Sequence, residues 1–485
     1  MSNFMVVLDL TIANVSVPHI AGNLGITFDQ GTWIITSYAV AEAICVPLTG
    51  WLAMRYGTVR VFMLAMAGFG IFSALCGLSP TLGALVVCRI GQGLAGAPLM
   101  PVSQALLLRV FPPKRRPVAM AAWSMTLLVA PALGPIIGGY ISDQYSWHWI
   151  FLINVPIAIV CVAVGAALLR PLETPTIRRP IDRIGLALLV FWIGSLQIML
   201  DLGRDRDWFA DPLIAGLGIC AAVGFAVFVI WELTETHPVV DLRIFRHRGF
   251  TTSVLALSLT FGAYFAGVVV IPQWLQLNMG YTATLAGVTT AFTAMAAIFV
   301  APFVPKLMQR VDARLLVCLA ILNMEAMTLV RTGWDLSADF TALAWPQLIQ
   351  GLGMPLFMVP LTQLSLGAVE ADEVASAAGL QNFMRTIAIA VATSVVLTIW
   401  GDHTRVATTR MAETLQPDAT LTTLGSAGFG PEQSRAVIDG LVQQQATTMA
   451  MEHTFLISAM VLAVAACVIW IVPRPKGILG GFSGH

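Results

Sequence analysis

Charge is what this chain has least of. Lys, Arg, Asp and Glu make up 11% of its 485 residues while 57% are hydrophobic, where about a quarter charged is usual for a soluble domain. With a mean hydropathy of +0.82, a soluble globular protein is excluded. The two signs balance to a net charge of zero, so bulk electrostatics offers nothing to a nucleic-acid partner. The seven cysteines, at 45, 76, 88, 161, 220, 318 and 467, all fall in apolar segments without a CxxC spacing. They read as small core residues and imply no metal site. All seven histidines sit in loops or at helix ends, which argues against a buried histidine relay. No Gly-rich phosphate loop ending in Lys-Ser or Lys-Thr is present, and no nucleophile-base constellation can be read. ATP-driven transport and membrane enzymology both lack their chemistry. The chain therefore reads as no enzyme, with no catalytic residues and no cofactor, and any transport must draw on an ion gradient.

What the chain has is apolar runs of membrane length. A bilayer core about 30 Å thick needs about 20 apolar residues per helix. Fourteen such segments follow one another, near 1–20, 31–53, 61–78, 83–108, 118–141, 149–169, 184–202, 212–234, 251–275, 285–304, 315–333, 341–368, 375–400 and 453–472. The predicted fold class is all-α and integral to the membrane. With the N-terminus placed in the cytoplasm, inner loops and tail hold eighteen Lys and Arg and outer segments six, the latter being Arg204, Arg206, Arg331, Arg405, Arg410 and Arg435. That asymmetry obeys the positive-inside rule, so both termini are predicted to be cytoplasmic. Arg89 and Arg385 fall within spans.

The chain also repeats itself. "PLTGWLAMRYGTVRVFMLA" from Pro47 matches "PFVPKLMQRVDARLLVCLA" from Pro302 at an offset of 255. Gln-Gly-Leu within "RIGQGLAGAPLMP" recurs in "QLIQGLGMPLFMVP" at an offset of 258. Two matches at nearly one offset indicate duplicated six-helix halves, as in many transporters. The halves are predicted at 1–169 and 251–472, with an inserted helix pair and its flanking loops at 170–250 and a cytoplasmic tail at 473–485.

Few ionisable residues lie inside the spans. Asp9 interrupts "FMVVLDLTIANVSVP" nine residues before Pro18, about 14 Å along a helix and so near the midplane. A carboxylate there is costly, which makes a proton or substrate path the default reading. Desolvation favours the protonated form and an approaching cation the ionised one, so a bound cationic drug can displace the proton. The alternative is a structural carboxylate bonded to Thr11 or Asn14 of its own helix. Arg89 and Arg385, read from the residues alone, are intramembrane cations that can serve as static hydrogen-bond hubs. Glu42 and Glu325 are extra proton or drug-cation sites, or polar residues in water-filled cavities. Gln92, Gln273, Gln381 and Asn382 are candidate polar groups of a substrate cavity. In "GPIIGG", Gly134, Gly138 and Gly139 permit close helix approach, and Pro135 removes a helix hydrogen bond. The long segment 401–452 reads as short polar helices around a Gly-rich turn in a loop on the outer side.

Taken together, "VLDLTIANVSVP", "GWLAMRYGTVR", "RIGQGLAGAPLMP", "APALGPIIGGYISD" with "WHWIFLINVP", and "NFMRTIA" resemble the signature segments of the fourteen-span drug/proton antiporters of the major facilitator superfamily, the EmrB/QacA subfamily. The resemblance covers nearly the whole chain. It implies the major facilitator fold in a 6+2+6 arrangement, and proton-driven, alternating-access efflux of hydrophobic drugs across the bacterial inner membrane. Its implied partners are a periplasmic adaptor of the EmrA type, docked by 401–452, and an outer-membrane channel of the TolC type. Solvated and inert is the other reading of that loop. For Arg89 the resemblance implies proton transfer or the holding of a carboxylate, a reading that Arg385 invites as well, and for Gly134, Pro135, Gly138 and Gly139 the antiporter motif. For Gly50, Arg55, Gly57 and Arg60 it implies a cytoplasmic gating loop whose usual acid is replaced by Met54. Against such relatives the first span starts late, which predicts a misassigned or trimmed start, or else a helix that barely spans. Two further functions stay open: a narrow exporter of an endogenous metabolite or siderophore, and a transport-dead sensor or assembly subunit.

Overall fold

A computed structural model describes residues 1–112, 115–176, 181–370, 373–414 and 430–473. Of the basic residues counted above, Lys114, Arg178, Arg179, Arg474 and Lys476 lie outside these, as does nearly all of the tail 473–485. The described chain is helical, and its apolar segments form fourteen successive helices. These are α1 (Ser2–Leu24), α2 (Gln30–Tyr56), α3 (Thr58–Gly77), α4 (Leu82–Val110), α5 (Arg116–Gln144), α6 (His148–Leu168), α7 (Arg183–Leu202) and α8 (Pro212–Thr234). The series continues with α9 (Arg248–Asn278), α10 (Thr284–Leu307), α11 (Ala313–Gly333), α12 (Phe340–Leu366), α13 (Val374–Thr414) and α14 (Pro431–Val468). Their lipid-facing sides stay apolar, as the exposed Leu64, Ile71, Leu319, Leu322 and Val464 show. Cys467 is also exposed, so it is not the core residue expected from sequence.

Two helices bend where backbone donors are missing. The parts Ser2–Asn14 and Ser16–Leu24 of α1 meet at 58°. Pro18 has no N–H for the carbonyl of Asn14, which breaks the ladder at that point. In α5 a 43° bend separates Arg116–Pro131 from Ile136–Ser142, across a segment with two prolines. Helix α1 continues past Pro18 to Leu24. Its 23 residues are about 34 Å of helix.

The segment 401–452 also departs from expectation. Its two polar stretches are continuous with the membrane helices: α13 is 41 residues long and α14 is 38. At about 60 Å each, they reach well beyond a bilayer core of about 30 Å. They form an antiparallel hairpin in which His403 and His453 stack at 4.9 Å; residues 415–429 lie outside the described set.

Helices α1–α6 pack together, as do α9–α14, and α7 with α8 lies against α2 and α13. The cluster of Leu189, Trp192 and Ile193 with Ala43, Val46, Leu380 and Phe383 forms this three-way contact. Trp208 Nε1 donates to Thr398 Oγ1 (3.0 Å) and Ser394 Oγ to the Leu200 carbonyl (2.7 Å), tying the pair to α13.

Candidate functional site

The deepest polar centre is built inside α1–α6. Arg89 Nη1 donates to Asp9 Oδ2 (2.6 Å) and to Gln92 Oε1 (2.8 Å), and its Nε donates to the Ile34 carbonyl (3.0 Å). Gln92 Nε2 and Asn154 Nδ2 both donate to Asp9 Oδ1, at 3.0 and 2.8 Å, and both also reach Ser73 Oγ. The Tyr38 ring lies 4.3 Å from the guanidinium. Asp9 is 2% exposed and Arg89 0%. Five helices thus supply one buried network, in which the ion pair is tolerable because both carboxylate oxygens of Asp9 are hydrogen-bonded, while Arg89 Nη2 and Asn154 Oδ1 have no partner among the described residues. Asp9's partners are not Thr11 and Asn14: Thr11 Oγ1 donates to the carbonyls of Val7 and Leu8, and Asn14 is exposed. Gln92, a cavity candidate from sequence, belongs wholly to this network. Asn154 went unread because one amide in "WHWIFLINVP" carries no periodic signal.

Close packing seats α5 on α1 beside this network. A Cβ added at Gly134 would lie 2.5 Å from the Thr11 Cβ, and one at Gly138 about 3.1 Å from Ile12 Cγ2. Nothing lies within 4 Å of such an atom at Gly139. Ser16 and Ser142 share a 2.8 Å hydrogen bond across the same pair. The side chain of Pro135 lies outside the described residues.

A second centre spans the seam between the helix groups. Asn382 Nδ2 of α13 donates to Gln104 Oε1 of α4 (3.0 Å), and Arg385 Nη2 lies 3.1 Å from Met100 Sδ. Glu42 of α2 is 8% exposed and makes no side-chain hydrogen bond among the described residues. No ion pair joins it to Arg385 among the described residues. Gln381 turns the other way and accepts from Ser365 (2.6 Å) within α9–α14. Gln273 and Glu325 are half-buried on α9 and α11. Neither joins the two centres.

The seam closes at the end that carries the basic loops. Added Cβ atoms at Gly50 and Gly379 would approach Ser376 Cα at 2.6 Å and the Val46 carbonyl at 3.3 Å, so α2 and α13 touch backbone to backbone. Met120 and Ala121 of α5 pack on Ala301, Val304 and Val359. Each inter-group contact named here lies in the half of its helix nearer the basic loops.

The turn after α2 has an acid after all. Glu173, from the segment following α6, accepts from the backbone N–H groups of Val59 (2.9 Å) and Arg60 (3.0 Å) and so caps the start of α3. A Cβ at Gly57, whose φ is +92°, would strike its Oε1 at 2.5 Å. Arg60 reaches Glu173 at only 3.9 Å and is largely exposed, whereas Arg55 stacks 5.3 Å over Trp51. Sequence reasoning looked for the acid near Met54 and missed one more than a hundred residues on.

A third buried cation was assigned to an outer loop by sequence. Arg331 ends α11 and is 2% exposed. Its Nη2 donates to Gln347 Oε1 (2.9 Å), to the Pro346 carbonyl (3.5 Å) and to Gln350 Oε1.

Comparison with known proteins places this geometry. The model of the Major Facilitator Superfamily matches residues 1–393. The chain belongs to the major facilitator superfamily. It is 41% identical over 490 residues to the multidrug export protein EmrB of Escherichia coli K12, covering 100% of this chain and 96% of that protein. It is 42% identical over 487 residues to the fatty acid resistance protein FarB of Neisseria gonorrhoeae, covering 99% and 96%. EmrB of Haemophilus influenzae is 40% identical, covering 98% and 95%. Within the superfamily the chain is thus of the EmrB type. Among solved structures, the human organic anion transporter MFSD10 matches with a TM-score of 0.57 at 15% identity, covering 95% of this chain and 97% of that one. That likeness shows the shared fold. As a superfamily member with this many apolar helices, the chain is a multi-pass membrane transporter.

Proposed function

We propose that this protein is a proton-driven multidrug exporter of the bacterial inner membrane, with both termini cytoplasmic, that moves hydrophobic toxic compounds outward by alternating access. The family, and the names of the EmrB relatives, support multidrug efflux. The observation that carries proton coupling is the seam itself: Glu42 stands on one helix group and Arg385 on the other. Rocking of the groups that opens the basic end changes the separation of Glu42 and Arg385, so Glu42's hold on a proton must differ between the two states. A carboxylate whose environment changes with state is what coupling requires. Asp9, held with Arg89 inside one group, keeps its partners through such a motion and serves as the buried relay or anchor of that group. In this reading the proton gradient is the energy source and no cofactor takes part. The hairpin of α13 and α14 stands on the side opposite the basic loops, where a periplasmic adaptor of the EmrA type would dock, and a channel of the TolC type would complete the path.

Everted, energised membrane vesicles test the coupling. Addition of a lipophilic dye or an uncoupler-like drug is expected to release protons in wild type. Glu42→Gln and Asp9→Asn, at normal membrane levels, are expected to lose at least about tenfold of that release, a barrier change of about 1.4 kcal/mol. Unchanged release in both variants removes these carboxylates from the mechanism. No drug-dependent release from wild type over a broad compound panel removes the multidrug reading.

A further inference from the structure

The two helix groups treat one position differently. At the offset of 258 that relates Gln92 to Gln350, Arg89 corresponds to Gln347, Ser73 to Arg331 and Asp9 to Gly267. At the offset of 255 Asp9 corresponds to Tyr264, one turn away on the same face of α9. Neither residue has a carboxylate. The second group thus keeps the glutamine as Gln350, has Gln347 in place of Arg89 and a buried guanidinium delivered from α11 instead of α12, and lacks the acid that neutralises its counterpart.

The space beside that guanidinium is a small pocket among α9, α11, α12 and α14, lined by Tyr264, Gly267, Thr328, Arg331, Gln350 and Ser458, with Ala263 and Phe455. Its free space is about that of a single water molecule. An added Cβ at Gly267 would stand 4.0 Å from Arg331 Nη1, so the pocket occupies the place where Asp9 stands in the first group. Arg331 Nε and Gln347 Nε2 are buried donors without a partner among the described residues. No carboxylate of the described residues pairs with Arg331, and its hydrogen bonds all go to neutral oxygens. The Tyr264 hydroxyl likewise has no hydrogen-bond partner among them. An uncompensated charge in such surroundings is expensive, and a guanidinium with free donors facing a cavity suits an anion.

We infer that this pocket binds a small monoanion on Arg331, with Tyr264 as second donor, standing in for the carboxylate that the first group carries as Asp9. Chloride is the simplest such anion, displacing the water-sized space as it binds; the carboxylate end of a transported compound has the same chemistry. The site goes beyond the efflux reading and does not depend on it.

Thermal unfolding of the purified full-length protein in detergent tests the site, with sodium gluconate as the reference and sodium chloride, bromide or acetate at equal ionic strength. An upward shift of the melting temperature on the order of 1–3 °C is expected with halide. A shift with acetate alone assigns the same site to a carboxylate source. Arg331→Gln and Tyr264→Phe are expected to lose or weaken the response. Gly267→Asp supplies the missing carboxylate internally, so it is expected to be more stable than wild type in gluconate and to lose its halide response. Equal melting in all four salts, or a halide response untouched by both Arg331→Gln and Gly267→Asp, overturns the inference.

Discussion

Asp9 accepts from three donors and Arg89 gives up two of its nitrogens to hold it and the Ile34 carbonyl, so removing either side chain strands the other charge in a dry network. Breaking one partner of a buried pair costs about 3–5 kcal/mol, whereas removing both together is far cheaper. Arg89→Met is therefore expected to lower the melting temperature sharply, and Asp9→Leu with Arg89→Met to recover most of the loss. A double variant as unstable as Arg89→Met would show that the pair is not the source of the cost. Asp9 was legible in the sequence because a lone carboxylate is too costly in an apolar run to stand there without a buried partner or a proton to carry. Arg331 was not, because it stands at the end of such a run, before Thr332, Gly333 and Asp335, and reads as the start of a loop. The available signal was Gln347 and Gln350 one turn apart on the neighbouring helix, two amide oxygens in search of a cation.

Among elements, α1 and α5 show how much their contact depends on one missing atom. Gly134→Ala must displace Thr11, because the new Cβ would lie 2.5 Å from the Thr11 Cβ, while Gly139→Ala meets nothing within 4 Å. Forced overpacking costs about 1–3 kcal/mol. Gly134→Ala is expected to lower both the melting temperature and drug-triggered proton release, and Gly139→Ala to leave both near wild type. Adding Thr11→Gly to Gly134→Ala is expected to restore stability; equal loss in the two alanine variants would contradict the packing argument. Hydropathy located all fourteen helices because lipid imposes length and composition on each. It missed what hydropathy does not encode. The bend of α1 arises from a single absent N–H, and α13 and α14 stay helical past 400 and before 453, where the composition turns polar while the hydrogen-bond ladder continues.

Across the whole molecule, the offset repeat made an expectation of two six-helix halves legible, through Pro, Gly and Gln recurring in register. Which end of the seam is shut was not, because closure depends on backbone contact between residues over three hundred apart. Gly50 holds that contact: a Cβ there would lie 2.6 Å from Ser376 Cα, and backbone cannot step aside as a side chain can. Gly50→Ala is therefore expected to disfavour the state closed at the basic end without touching either buried centre. Spin labels on Tyr56→Cys and Glu370→Cys, exposed positions on opposite sides of that end, would report it in a background with the seven native cysteines replaced by alanine. The distance distribution is expected to move toward longer separations in Gly50→Ala, with proton release per added drug reduced because the closed state is reached less often. An unchanged distribution would mean that Gly50 and Ser376 do not set the closure, and that the cross-seam contacts of Gln104, Asn382 and Arg385 hold the end shut on their own.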